Sequence, residues 1–167
     1  MTLRPVRGGR SVTSSVWGAG TVRRVDRPRD SQRARLYRAE NEVDAGRALP
    51  TVPTMQAYVD EVAAAGWFTD RWGVRTFDVR PGYGHKRATA NGEGVLQMPR
   101  WARRELTVLH EVAHCLTPET FAPHGSEYAG VFLAIVRRAM GFGPAQALED
   151  SFDRNRVRWS AAALLHP

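Results

Sequence analysis

Two histidines four residues apart with a glutamate between them, His110-Glu111-Val112-Ala113-His114, form the part of this sequence best suited to chemistry. On a helix that spacing puts both imidazoles on one face, one turn apart. Both then reach one ion at ~2.0–2.1 Å, the usual zinc–nitrogen distance. Glu111 lies about 100° around the helix from His110, too close in sequence to share the ligand position. It is well placed to take a proton from water beside the ion, the general-base arrangement of zinc hydrolases.

A catalytic zinc site needs a third protein ligand and keeps a fourth position for water. Glu119, His124 and Glu127 follow within reach. His124 is preferred, because Pro123 stiffens the approach and Gly125 lets the backbone pass close to the site. Glu127, one turn beyond His124, is either the ligand in its place or an outer carboxylate that orients a ligand. The expected cofactor is Zn2+. The expected reaction is hydrolysis at a polarised carbonyl, with Glu111 moving the proton from the zinc-bound water to the leaving amine. Tyr128, one turn after His124, is the catalytic candidate for steadying the oxyanion, with Tyr83 and His85 as alternatives from the PGYGHK turn. Cys115 points away from the histidine face and is expected to pack. Arg103 lies two turns before His110 and reads as a solvated arginine or a contact for a substrate carboxylate.

The segments around these residues must hold them. Asp30 or Ser31 can cap a helix running to about Asp44, buried through Leu36, Ala39 and Val43. Pro53 opens a second helix with an apolar stripe of Met55, Tyr58, Val59, Val62 and Ala65, ended by Gly66. A strand-like run from Val74 to Arg80 turns at Pro81-Gly82. Segments 86–90 and 95–98 flank Asn91-Gly92, a hairpin signal. Pro99 ends the second of these. A helix then spans about 100–116 and is apolar nearly all round, which marks it as buried. Two more helices run from Ser126 to about Met140 and from Pro144 to about Trp159. The order predicts an α+β fold, with a small antiparallel sheet packed on the histidine helix. Val95, Leu96 and Gln97, as an edge strand just before that helix, would offer backbone groups to an extended peptide substrate.

HEVAHCL followed by HGSEY resembles the zincin-type metallopeptidases. It is similar to the SprT-like pattern of HExxH, a loop, then HG with an aromatic shortly after. It also resembles uncharacterised actinobacterial HExxH metallohydrolases, through the lead-in VLQMPRWAR. The resemblance implies a zincin-like fold, with His110, His114 and His124 as zinc ligands and Glu111 as base. The metzincin arrangement, with a glycine and a histidine six residues after the second histidine, is absent. So are the cysteines of a zinc ribbon, so a DNA-repair role is not implied.

The chain has 167 residues, 43% of them hydrophobic, which suits one domain with a real core. Residues 29–160 are read as that domain, between a flexible arm at 1–28 and a short tail at 161–167. No apolar run approaches the ~20 residues a membrane span needs. The N-terminus has charge without an apolar stretch, so no secretory signal is expected. With a single cysteine, a reducing, cytoplasmic setting follows. Residues 1–38 hold ten arginines against Asp26 and Asp30, while the whole chain carries +7. The positive charge is therefore local to the arm and the helix after it. It allows a second reading, in which the arm docks on nucleic acid and the metal is structural. A third is a zinc amidohydrolase acting on a non-peptide substrate.

Overall fold

The computed structural model describes residues 29–84 and 87–162. The expected arm at 1–28, His85 and most of the tail lie outside the described residues. The elements run α1 (Arg33–Asn41), α2 (Val52–Ala64), α3 (Gly66–Trp72), β1 (Asp78–Pro81), β2 (Thr89–Ala90), β3 (Val95–Met98), α4 (Glu105–Leu116), α5 (Ser126–Ala139) and α6 (Phe142–Arg154). The fold is α+β: among the described residues, six helices and one three-stranded sheet. No described helix is long and apolar enough to cross a membrane.

The sheet is mixed rather than antiparallel. Its order is β1-β3-β2, with β1 parallel to β3 and β2 antiparallel to it. The reason lies in Pro81-Gly82. After β1 the chain crosses the end of β3 before returning as β2, and Gly82 N–H donates to the Met98 carbonyl at 3.1 Å. A Cβ on Gly82 would stand 2.7 Å from the Pro99 nitrogen, so only glycine permits so close a crossing. The hairpin at Asn91-Gly92 forms as expected. The Asn91 side chain accepts from Glu93 and Val95 N–H groups, and Gly94 adopts φ 86°.

One consequence corrects the substrate expectation. Val95, Leu96 and Gln97 sit on the central strand, with Leu96 and Gln97 paired on both sides. Their backbone groups are committed to the sheet. The sheet's edges are β1 and β2, and β2 is the one that lines the histidine cleft.

α4 is the central helix, with Leu106, Val108, Leu109, Val112 and Ala113 buried. It has no side-chain N-cap. Its first free N–H groups are met by backbone instead: Glu105 donates to the Arg47 carbonyl and Leu106 to that of Ala45. α5 packs along α4 and α6 along α5. α6 also holds α1, where the buried Ser151 hydroxyl donates to the Ala39 carbonyl at 3.0 Å. A second tie joins the residue before α1 to the segment after α6: the Gln32 side chain donates to the Arg158 carbonyl and accepts from its N–H. Several boundaries differ from the periodicity: α1 ends at Asn41 rather than near Asp44, α4 starts at Glu105 after a separate 3-10 turn at Arg100–Ala102, and α6 ends at Arg154 rather than near Trp159. α1 starts at Arg33 with Gln32 as its uncapped N-cap, so Asp30 is free for another use. Gly66 begins the short α3 rather than merely ending α2, because Ala65 turns extended at ψ 136° and the helix restarts.

Gly82→Ala should lower stability by about 1–3 kcal/mol through this overpacked crossing. A fall in the urea midpoint without loss of cooperativity is the expected observation, and an unchanged midpoint would show that the crossing has slack.

Candidate metal centre

His110 and His114 project from one face of α4, and their Nε2 atoms lie 3.2 Å apart. Two nitrogens bound tetrahedrally at ~2.0–2.1 Å would be separated by about 3.3 Å. His124 comes from the loop before α5, and its ring centroid lies 5.5 Å from that of His110 and 4.8 Å from that of His114. One ligand atom from each of the three lies within 4.8 Å of the others. Among the described residues this is the group of histidine, cysteine and acidic side chains that could hold an ion.

The other ring nitrogens are occupied. His110 Nδ1 lies 2.7 Å from Glu40 Oε1, and His124 Nδ1 lies 2.8 Å from Asp30 Oδ2. An imidazole that donates its Nδ1 proton to a carboxylate turns an Nε2 lone pair toward a metal, with its ring direction fixed. In His124 that Nε2 is buried and has no partner. Leaving a buried polar atom unpaired costs about 1–3 kcal/mol. An ion at this point supplies the missing partner, so the residues present fit a metal.

Protonation states follow from the surroundings. Burial, then the neighbouring His110 and His124, hold His114 well below the ordinary histidine range. Burial also lowers His124, partly offset by Asp30. Burial works the same way on His110, but the charge and hydrogen bond of Glu40 prevail and raise it. Glu111 is 4% exposed, and burial pushes its carboxyl up to about 7, against the pull of His110. Three imidazoles suit zinc, copper, iron and nickel.

Tyr128 forms the floor. It is fully buried, stacks on His114 with centroids 4.4 Å apart, and donates its hydroxyl to the His110 carbonyl at 3.1 Å. Its hydroxyl is therefore committed to the backbone of α4. Glu127 is not in the cluster; its carboxylate accepts from the Ser126 hydroxyl and lines a different surface cleft with Gln32 and Arg158. Glu119 lines the rim of the histidine cleft, outside the cluster. Arg103 is turned toward the start of α2, donating to the Pro50 carbonyl. Tyr83 is exposed. Cys115 donates to the Asn91 carbonyl at 3.3 Å and so ties α4 to the hairpin, while burial raises its thiol to about 12.

A cleft of about 470 Å³ opens over Glu111, His114 and His124. One wall is α1, through Arg33 and Tyr37, and the opposite wall is β2 and its turn. Sequence reasoning passed over the contribution of α1. The Tyr37 ring stacks on His110 at 5.5 Å and 16°, and lies 5.2 Å from His124. The Arg33 guanidinium sits 5.6 Å from the Tyr37 centroid. Arg33, Tyr37 and Glu40 recur at helical spacing, a polar stripe beside the apolar Leu36 and Ala39. That stripe was the signal available.

Comparison with protein-family models, curated proteins and solved structures finds no match for this chain.

Asp30→Asn and Glu40→Gln should each weaken metal binding about 10–100-fold while the fold persists. Gln32→Ala should do so to a smaller degree by loosening Asp30, and Glu127→Ala should have little effect. Chelator competition monitored alongside circular dichroism checks this, and a loss with Glu127→Ala instead would reassign the third ligand.

Proposed function

We propose that this protein is a zinc-dependent hydrolase of the zincin type, cleaving peptide bonds. The observation that carries the reading is a three-histidine cluster with Glu111 beside it, at the base of an open cleft rather than sealed in the core. A purely structural zinc site asks for four protein ligands. Among the described residues the cluster offers three. The HExxH motif's resemblance to zincin peptidases points the same way.

His110, His114 and His124 would hold the ion. When bound, zinc supplies Lewis acidity that polarises a carbonyl and acidifies water. Glu111 accepts the proton from the attacking water and delivers it to the leaving nitrogen. A carboxyl raised to about 7 by burial suits both halves of that transfer near neutral pH. Glu40 and Asp30 keep His110 and His124 in the tautomer that binds metal.

Tyr37 takes the donor role first expected of Tyr128. Its ring lies over two of the three ligands, it is half-buried on the cleft wall, and burial raises its hydroxyl so that it keeps its proton. A donor held there steadies negative charge on the substrate carbonyl oxygen. β2 supplies the edge that Val95–Gln97 cannot. Thr89 and Ala90 line the cleft, and an extended peptide laid along them would carry its carbonyl past Glu111.

Glu111→Gln should retain the metal and lose at least ~10²-fold in turnover of a peptide library. Retained turnover would remove Glu111 as the base. Tyr37→Phe should lower kcat by about 10²-fold at unchanged metal content. If Tyr128→Phe does so while Tyr37→Phe does not, the donor is on the floor rather than the wall. Chelation should lower the melting temperature, and zinc should restore it, since an ion bound only by the native state stabilises that state.

A further inference from the structure

The metal cleft has a second lobe. A cavity of about 300 Å³ adjoins it across Tyr37, Ala88 and Glu111. Its apolar lining is Ala45, Ala88, Leu106 and Trp101. Trp101 stands on a short 3-10 turn, Arg100–Ala102, between β3 and α4, and is 58% exposed. Leu106 is buried, and the other aliphatic side chains lining the lobe are the small ones of Ala45 and Ala88. The volume lies at the lower end of the ~300–1,000 Å³ of ligand pockets, room for one large side chain rather than a whole small molecule.

Trp101 lines the lobe with much of its indole accessible. Large aromatics left at a surface concentrate where a partner covers them. Here the indole opens onto a lobe that also touches His110 and Glu111, so whatever it covers lies next to the reacting bond. The charges beside it are also informative. Glu40 and Glu111 line the lobe, which disfavours an acidic occupant; Arg87 lies at the junction of the two lobes, lining both.

We propose that this lobe is the specificity subsite, and that it takes a large apolar side chain, aromatic above all, from the residue flanking the scissile bond. Trp101 is its specificity-determining residue. This rests on the hydrolase reading for its place beside the reacting bond. The PRWAR lead-in to α4 thereby acquires a function: Pro99 ends β3, Ala102 is buried, and Trp101 between them is presented to the substrate.

Two measurements test it. In the first, wild type, Trp101→Phe and Trp101→Ala digest a library of blocked glycine-rich peptides, each with one variable residue. Cleavage should concentrate beside Phe, Tyr, Leu and Met. The ratio of kcat/KM for Phe over Gly peptides should fall about tenfold in Trp101→Ala and recover largely in Trp101→Phe. Cleavage without such preference, a preference for acidic residues set by Arg87, or a ratio that Trp101→Ala leaves alone would overturn the proposal. In the second, the zinc-loaded Glu111→Gln protein is titrated calorimetrically with the Phe and Gly peptides. Tighter binding of the Phe peptide, lost on adding Trp101→Ala, supports the subsite, and equal binding overturns it. If wild type cleaves nothing, the hydrolase reading fails, and this titration alone decides whether the lobe binds an apolar side chain.

Discussion

A buried imidazole has two nitrogens to satisfy, and the whole arrangement follows from how His110 and His124 satisfy theirs. Each gives Nδ1 to a carboxylate, Glu40 or Asp30, and both carboxylates come from α1 or the residues just before it. The direction of these two rings is therefore set from outside α4. α1 in turn is held by α6 through Ser151, and the segment before it by the pairing of Gln32 with Arg158. Residues more than a hundred positions apart in sequence thus fix the direction of one imidazole. A His–carboxylate bond of this kind raises ligand basicity as well as fixing the ring, so the distant ties bear on affinity as well as on shape.

The surroundings divide the work between rigid and open sides. Below the cluster, Tyr128 and Phe132 pack under the histidines, and the Tyr128 hydroxyl is bound to α4 backbone. Above it, α1 and the β2 edge stand apart and leave the cleft. Between them Glu111 is buried without losing access to the cleft, which is what lifts its carboxyl toward neutrality. On the hydrolase reading, the same burial that makes this side chain costly to fold makes it useful as a base. Cys115 links the helix to the turn of the hairpin that carries β2.

What could be read from the sequence follows the range of each interaction. The i, i+4 spacing of His110 and His114, the buried character of α4, the α5 span and the Asn91-Gly92 hairpin are local properties, and all are found in the fold. The approach of His124 was legible because Pro123 and Gly125 mark it. The parallel pairing of β1 with β3 was not, since strand order depends on where the chain crosses, and the only local sign was Gly82. For the same reason nothing local in Val95–Gln97 marks it as the central strand. Asp30 looked like a helix cap because capping and ligand orientation both call for a short acidic side chain before a helix. Glu40 carried no mark beyond its place on the stripe with Arg33 and Tyr37; its partner lies 70 residues away.

His110, His114 and His124 stand close enough to hold one ion between them, with no cysteine in the cluster. X-ray absorption at the zinc edge of the zinc-loaded full chain tests it most directly. Binding by these three side chains gives four nitrogen or oxygen scatterers at ~2.0–2.1 Å, with the outer-shell signature of three imidazoles and one exchangeable light-atom position. A sulfur scatterer at ~2.3 Å, or only two imidazoles in the outer shell, would contradict it.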